Sequence, residues 1–106
     1  MTLTDAMATI GSDADRFVLN GRTVYRRGGR LTLENGTLAG ADIDMAATVR
    51  YAAANLGLDL AEVLRMASRY PADLIGDTRR GRIGPGAFAE FVHLGDDLSV
   101  RDIIVA

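Results

Sequence analysis

The spacing of apolar residues changes twice along this chain, from strand-like to helical and back again. Residues 16–33 alternate between apolar and polar side chains, which is typical of half-buried β-strands. Residues 43–56 and 59–69 carry apolar side chains at three- and four-residue intervals, which predicts two amphipathic helices. Residues 88–94 and 98–105 again have the composition of strands. The predicted order is therefore meander, helices and hairpin, a mixed α/β class.

Turn residues divide the first half into short elements. Asn20-Gly21 and Gly28-Gly29 tolerate positive φ, so residues 16–33 are predicted to form a three-stranded meander. Residues 1–15 are interpreted as a short apolar strand end followed by an irregular segment. Four arginines decorate the meander, and we interpret them as a solvated outer face rather than an anion site: Arg22, Arg26, Arg27 and Arg30.

Capping residues delimit the predicted helices. Either Asp42 or Asp44 is placed to cap the first helix, which Gly57 would end. Asp59 and Glu62 have the spacing of a capping box, with aspartate in the place of serine or threonine. Residues 71–76 are predicted to form a short third helix, with its proline as the first helical residue.

Composition limits the chemistry that the chain supports. The net charge is -2, so no overall positive field attracts nucleic acid or an anionic membrane. No apolar run is long enough to span a bilayer, and the first residues lack the features of a signal peptide, so a cytoplasmic location is expected. Cysteine and lysine are absent and His93 is the single histidine, so a multi-histidine metal site cannot be built from this chain alone.

Four stretches resemble the N-acetylglucosamine-6-phosphate deacetylase family, which belongs to the amidohydrolases, and together they span nearly the whole chain. They are residues 4–7 (TDAM), 35–40 (NGTLAG), 64–72 (LRMASRYPA) and 81–90 (GRIGPGAFAE). The last stretch is also similar to other amidohydrolases such as the dihydroorotases, which lack a counterpart of residues 35–40. The predicted first strand begins at the chain start and the last stops on an apolar run, which also suggests a piece of a larger protein.

The resemblance implies the C-terminal fragment of a metal-dependent (β/α)₈ barrel together with terminal strands of a small β-sandwich domain. Residues 1–76 would then provide the last barrel strand, a hairpin insertion and the closing helices. Residues 77–106 would provide the C-terminal strands of the small domain. Barrel enzymes carry their active sites at the C-terminal ends of the strands, and residues 4–6 match such a position.

The same resemblance assigns the site residues. Asp5 matches the family's catalytic aspartate, and Leu38, Ala39 and Gly40 match its substrate-binding loop. A carboxylate beside a water molecule can take the water's proton and return a proton to the departing amine, which amide hydrolysis requires. The substrate implied is N-acetylglucosamine 6-phosphate, which would yield glucosamine 6-phosphate and acetate.

The family uses a divalent metal such as zinc, whose glutamate and histidine ligands lie in barrel strands with no counterpart in this chain. We therefore expect no metal-ligating residues here, an isolated chain without activity, and self-association through uncovered apolar faces. His93 matches no ligand position and is interpreted as a packed or surface residue. The alternative is a stand-alone, non-catalytic structural or interaction module derived from the amidohydrolase scaffold.

Overall fold

The computed structural model describes all 106 residues and divides into two compact units. The first, called here the sheet unit, comprises Thr4–Asp44. The second, called the helical unit, comprises Met1–Leu3 and Met45–Ala106. No helix is both long enough and apolar enough to cross a membrane. The assignment of residues 1–76 and 77–106 to a barrel and a small domain concerns a longer protein and stays a prediction.

The sheet unit is a four-stranded antiparallel sheet in the order β1-β2-β3-β4. Asn20 and Gly21, with φ of 51° and 75°, make the tight turn between β1 and β2, and Gly28-Gly29 makes the next turn. The predicted three-stranded meander is therefore confirmed. Val24 and Leu31 are its fully buried side chains. The strands are β1 (Arg16–Leu19), β2 (Arg22–Arg27), β3 (Arg30–Leu33) and β4 (Leu38–Ala41).

Two parts of the sheet unit differ from the sequence-based expectation. Residues 35–40 were expected to form a loop, but the turn ends at Thr37 and β4 begins at Leu38. Residues 1–15 were expected to include a strand end, but the only pairing there is one isolated parallel bridge from Ala6 to Ala41. Local patterns do not reveal these differences, because a strand exists only where a neighbouring segment supplies hydrogen-bond partners.

The helical unit contains three helices and a two-stranded hairpin. Val49, Ala52 and Val63 form its buried cluster, with Leu98 packed against them. The elements are α1 (Met45–Asn55), α2 (Leu60–Ala67), α3 (Arg69–Leu74), β5 (Glu90–Leu94) and β6 (Val100–Val105). The apolar periodicity thus identified both longer helices and both strands of the hairpin correctly.

The predicted capping box is wrong. Asp59 occupies the N-cap position of α2 with extended backbone angles, but its side chain makes no capping hydrogen bond. The Glu62 carboxylate instead accepts hydrogen bonds from Tyr70 Oη at 2.7 Å and from Arg65 Nη2 at 2.8 Å. Pro71 is the third residue of α3 rather than the first, and this position still lies in the first turn, where an N–H has no helical partner.

Candidate functional site

Asp5 lies beside β4 in an unusual backbone conformation. Its φ is 54°, in the left-handed region that aspartate enters more readily than most residues. Its carbonyl oxygen accepts a hydrogen bond from the Ala41 N–H at 3.0 Å, and the neighbouring Ala6 forms the parallel bridge to the same residue. Asp5 is exposed, and its carboxylate has no hydrogen-bond or ion-pair partner in the chain. The carboxylate is therefore accessible while the backbone that carries it is held against the sheet.

The three predicted substrate-binding residues lie at the start of β4. A turn closed by two hydrogen bonds precedes them: the Gly36 N–H donates to Leu33 O at 2.9 Å, and the Leu33 N–H donates to Thr37 O at 2.8 Å. The Asn35 carboxamide oxygen accepts the Thr37 N–H at 3.1 Å, the local bond that favours asparagine in turns. This turn explains the residue types at 35–37 without any substrate.

A β-bulge lies within these three residues. Leu31 of β3 pairs with Gly40 and Thr32 pairs with Leu38, so Ala39 is the extra residue on β4. Bulges redirect side chains and are over-represented beside active sites. Leu38 is 63% exposed, whereas Ala39 is half-buried and Gly40 is buried. The predicted residues therefore present one accessible side chain and a locally irregular backbone.

Gly40 brings this strand close to the segment that carries Asp5. A Cβ atom at position 40 would lie 2.6 Å from Met7 Sδ and 3.0 Å from the carbonyl oxygen of Asp5. Only glycine permits such an approach between the two backbones. The structure therefore brings Asp5 together with Gly40, two residues that lie 35 positions apart in the sequence.

Arg26 is a residue of this region that the sequence-based interpretation assigned to the surface. Its side chain is only 22% exposed, and its Nε lies 3.0 Å from Asp42 Oδ1, an ion pair whose angle is not that of a hydrogen bond. Its Nη1 donates to the carbonyl oxygen of Ser12 at 2.9 Å, and its Nη2 donates to that of Thr9. The prediction of a solvated arginine face is therefore wrong for Arg26, while Arg22, Arg27 and Arg30 are exposed as expected.

The residues of this chain do not by themselves provide a set of ligands for a divalent metal. No group of three or more histidine, cysteine, aspartate or glutamate side chains comes together anywhere in the structure. His93 lies on β5 opposite Asp102 of β6, and it is exposed. A metal requires at least three protein ligands in the usual catalytic sites, so any metal beside Asp5 needs ligands from other residues.

A cavity in the helical unit contains none of the four predicted site residues. It has a volume of about 590 Å³ and is lined mainly by apolar side chains of α3, of the residue that follows it and of the hairpin, including Ile75, Phe91 and Ile103. Its charged residues all form ion pairs, such as that between Arg80 and Asp77 at 3.1 Å. The cavity presents apolar surface rather than a set of reactive groups.

Comparison with known proteins decides the family. The model of the amidohydrolase family matches residues 2–106. The chain belongs to the amidohydrolase family. The motifs of this amidohydrolase also resemble those of the sugar-phosphate deacetylases. That resemblance is confirmed as well, because the known proteins described below are deacetylases of this kind.

Two curated relatives and one solved structure illustrate the similarity. An N-acetylgalactosamine-6-phosphate deacetylase of Shewanella sp. is 42% identical over 106 residues, which cover 100% of this chain and 27% of that protein. An N-acetylglucosamine-6-phosphate deacetylase of Haemophilus influenzae is 37% identical, with 97% of this chain and 28% of that protein covered. The crystal structure of the Pasteurella multocida N-acetylglucosamine-6-phosphate deacetylase has a TM-score of 0.89 and 42% identity, and covers 97% of this chain and 27% of that one. This amidohydrolase chain thus spans about a quarter of the length of these relatives.

Proposed function

We propose that this chain provides one part of the active site of an N-acetyl amino-sugar 6-phosphate deacetylase. The observation that carries the proposal is the adjacency of Asp5 and Gly40. The segment that the family resemblance assigns to catalysis lies directly beside β4, which the resemblance assigns to substrate binding. The relatives named above support the reaction. The substrate is N-acetylglucosamine 6-phosphate or its galactosamine isomer, and the products are the free amine and acetate. The cytoplasmic location expected from the sequence belongs to the same proposal.

Asp5 acts as the proton-transfer group in this proposal. Its exposed carboxylate has no partner within the chain, so it is free to accept a proton from an attacking water molecule and to deliver one to the leaving amine. Leu38, Ala39 and Gly40 contact the sugar, and the bulge at Ala39 lets the backbone approach it. A divalent metal such as zinc, where the family uses one, is held by ligands outside these 106 residues.

The wider architecture is part of the same proposal. Residues 1–76 belong to the end of a (β/α)₈ barrel, and residues 77–106 are strands of a small β domain. The similarity to the Pasteurella multocida structure over 97% of the chain supports this assignment. Without the remaining elements and the metal ligands, the isolated chain has no deacetylase activity.

Replacing the matching segment of the Shewanella relative with residues 1–106 tests the proposal. Acetate release from both N-acetyl amino-sugar 6-phosphates is measured for this chimera, for the intact relative and for the isolated 106-residue chain. We expect the chimera to be active and the isolated chain to be inactive. Asp5→Asn in the chimera should lower kcat by roughly 100- to 10,000-fold, the usual contribution of a proton-transfer group.

The matched control is Asp13→Asn, because Asp13 is another exposed aspartate of the sheet unit without an ion pair. It should leave kcat unchanged. A folded but inactive chimera beside an active relative would contradict the proposal and favour the non-catalytic interaction module. Full activity of the Asp5→Asn chimera would contradict the role of Asp5 alone.

Self-association of the isolated chain is a second part of the proposal. The hairpin exposes apolar side chains, among them Ile103 at 66% and Val105 at 68%, and Leu74 of α3 is 69% exposed. Contiguous exposed apolar surface favours association in water. Sedimentation velocity of the purified chain should show dimers or larger species, and a monomer at all concentrations would refute this part.

A further inference from the structure

The turn that follows Asp5 is held mainly through one carbonyl oxygen. The oxygen of Thr9 accepts the Ser12 N–H at 3.1 Å, the Ser12 hydroxyl at 3.0 Å and the Nη2 donor of Arg26. The Nη1 group of Arg26 donates to the carbonyl oxygen of Ser12 at 2.9 Å. Two guanidinium donors from β2 thus reach the turn that begins only two residues after Asp5.

The same guanidinium reaches the far end of β4. Asp42 directly follows β4, and its Oδ1 lies 3.0 Å from Arg26 Nε. Both side chains are largely shielded from water, with exposures of 22% and 18%, so their attraction is screened less than that of a surface pair. Arg26 therefore connects the turn after Asp5 to the residue after the predicted substrate-binding strand.

We propose that Arg26 is a positioning residue that holds the Asp5 segment against β4. The inference rests on the function proposed above for Asp5 and Gly40. Between these two residues the direct links are few: the hydrogen bond from Ala41 to the Asp5 carbonyl oxygen and the close approach at Gly40. Because Arg26 binds both segments, the turn after Asp5 on one and Asp42 on the other, it limits sliding of one segment along the other.

This role requires an arginine rather than any cation. The guanidinium is a rigid planar fork, so two of its groups can donate to two carbonyl oxygens while its charge stays beside the Asp42 carboxylate. A lysine ammonium keeps the charge opposite Asp42 but cannot bridge all three oxygens. Arg26→Lys therefore separates positioning from simple charge neutralisation, and Asp42→Asn removes the other end of the same connection.

Amide hydrogen exchange of the full 106-residue chain, followed by NMR, tests the connection directly. The exchange rate of the Ala41 N–H, which bonds to the Asp5 oxygen, is divided by that of the Val24 N–H in the buried centre of the same sheet. We expect this ratio to rise about tenfold in both variants. Arg26→Lys loses hydrogen bonds from a charged group, and Asp42→Asn loses the shielded ion pair. The control Arg22→Lys alters an exposed arginine on the same strand and should leave the ratio unchanged.

Kinetics of the chimera described above then separate positioning from stability. Arg26→Lys should lower kcat roughly 10- to 100-fold with KM within about twofold, because a displaced proton-transfer group slows the reaction step more than binding. An unchanged exchange ratio in both variants, or an unchanged kcat beside a raised ratio, overturns the inference. If the unsubstituted chimera is inactive, the proposed function fails, and the exchange ratio alone decides whether Arg26 holds the two segments together.

Discussion

Replacing Gly40 by alanine probes the contact that brings the two candidate site segments together. The new methyl group would lie 2.6 Å from Met7 Sδ, 2.7 Å from Met7 Cγ and 3.0 Å from the Asp5 carbonyl oxygen. Carbon and sulfur atoms in ordinary contact are about 3.5–4.0 Å apart, so all three contacts are compressed. Gly40 itself does not have a positive φ, so the cost is steric and not a matter of backbone conformation.

The magnitude follows from which atoms can move. An extra methyl group in a packed site usually costs about 1–3 kcal/mol. A gain of about 0.4–1 kcal/mol offsets part of this, because alanine restricts the unfolded chain more than glycine does. The Met7 side chain is flexible and half-buried, whereas the Asp5 oxygen is bonded to Ala41. We therefore expect Gly40→Ala to lower the free energy of unfolding of the sheet unit by about 1–2 kcal/mol.

A double variant assigns the cost to Met7. Met7→Ala removes both atoms of the two shortest contacts, so Gly40→Ala should cost about 1 kcal/mol less in that background. Gly36→Ala is the matched control: position 36 has a φ of 85° and open space around it. Its cost of about 1–2 kcal/mol comes from left-handed backbone strain, and Met7→Ala should not change it.

Native-state hydrogen exchange is the appropriate assay, because it reports opening of the sheet unit separately from the helical unit. The Val24 amide, at the buried centre of the sheet, gives the free energy of opening for each variant. The steric reasoning would be refuted if Gly40→Ala were as stable as the original chain. It would equally be refuted if Met7→Ala left the cost of Gly40→Ala unchanged.

Two further predictions concern the helical unit. Gly81→Ala should lower the free energy of unfolding, measured by chemical denaturation, by about 3 kcal/mol or more. The φ of Gly81 is 74°, and the new methyl group would lie 2.6 Å from the Ser68 carbonyl oxygen, a backbone atom. A loss below about 1 kcal/mol would contradict this. The hydrogen bond from Tyr70 lowers the pKa of Glu62 in the folded chain. The ionised Glu62 carboxylate therefore stabilises the fold at pH values above its pKa in the unfolded chain. This stabilisation is lost as the pH falls through the lower pKa of the folded chain. Circular dichroism at each pH should therefore show a lower Tm for Glu62→Gln than for the original chain at neutral pH. The difference should shrink as the pH falls below the ordinary glutamate pKa and vanish below the lowered pKa of folded Glu62. A Tm difference that persists in acid would show that the charge of Glu62 is not the cause.

Much of the fold was predictable because it depends on local properties. Asn20-Gly21 adopts the positive φ angles that a tight turn needs, and the helices begin and end within a few residues of the predicted bounds. Val63 is fully buried, as the period of α2 requires. The capping box failed for a different reason. Tyr70 lies eight residues beyond Glu62, and the turn into α3 brings its hydroxyl to the carboxylate that a cap would use.

The residues of the candidate site come from motif resemblance alone and stay a prediction, whereas their geometry required the structure. Motif resemblance selected Asp5 and residues 38–40, and the amidohydrolase model matches residues 2–106 as a whole. Nothing local indicated that Ala39 forms a bulge or that Gly40 lies against Met7. Arg26 was missed because arginine at an alternating strand position is usually solvated. One acidic residue, Asp42, follows β4 directly, but β3 separates that strand from β2, so the local sequence did not indicate its pairing with Arg26.

The sequence by itself determined the meander, the helices, the hairpin, their order and the family, since turn chemistry, apolar period and motif spacing act within short stretches of chain. It did not determine β4, whose partner strand lies elsewhere in the chain. It also determined that the 106 residues contain one histidine and no cysteine, so they are poor in metal ligands. Only the tertiary structure decided that Asp5 lies against Gly40 and that Arg26 connects their flanking segments. Such contacts join residues tens of positions apart, and they depend on the register of the sheet and on which backbones approach each other. No local pattern encodes that information.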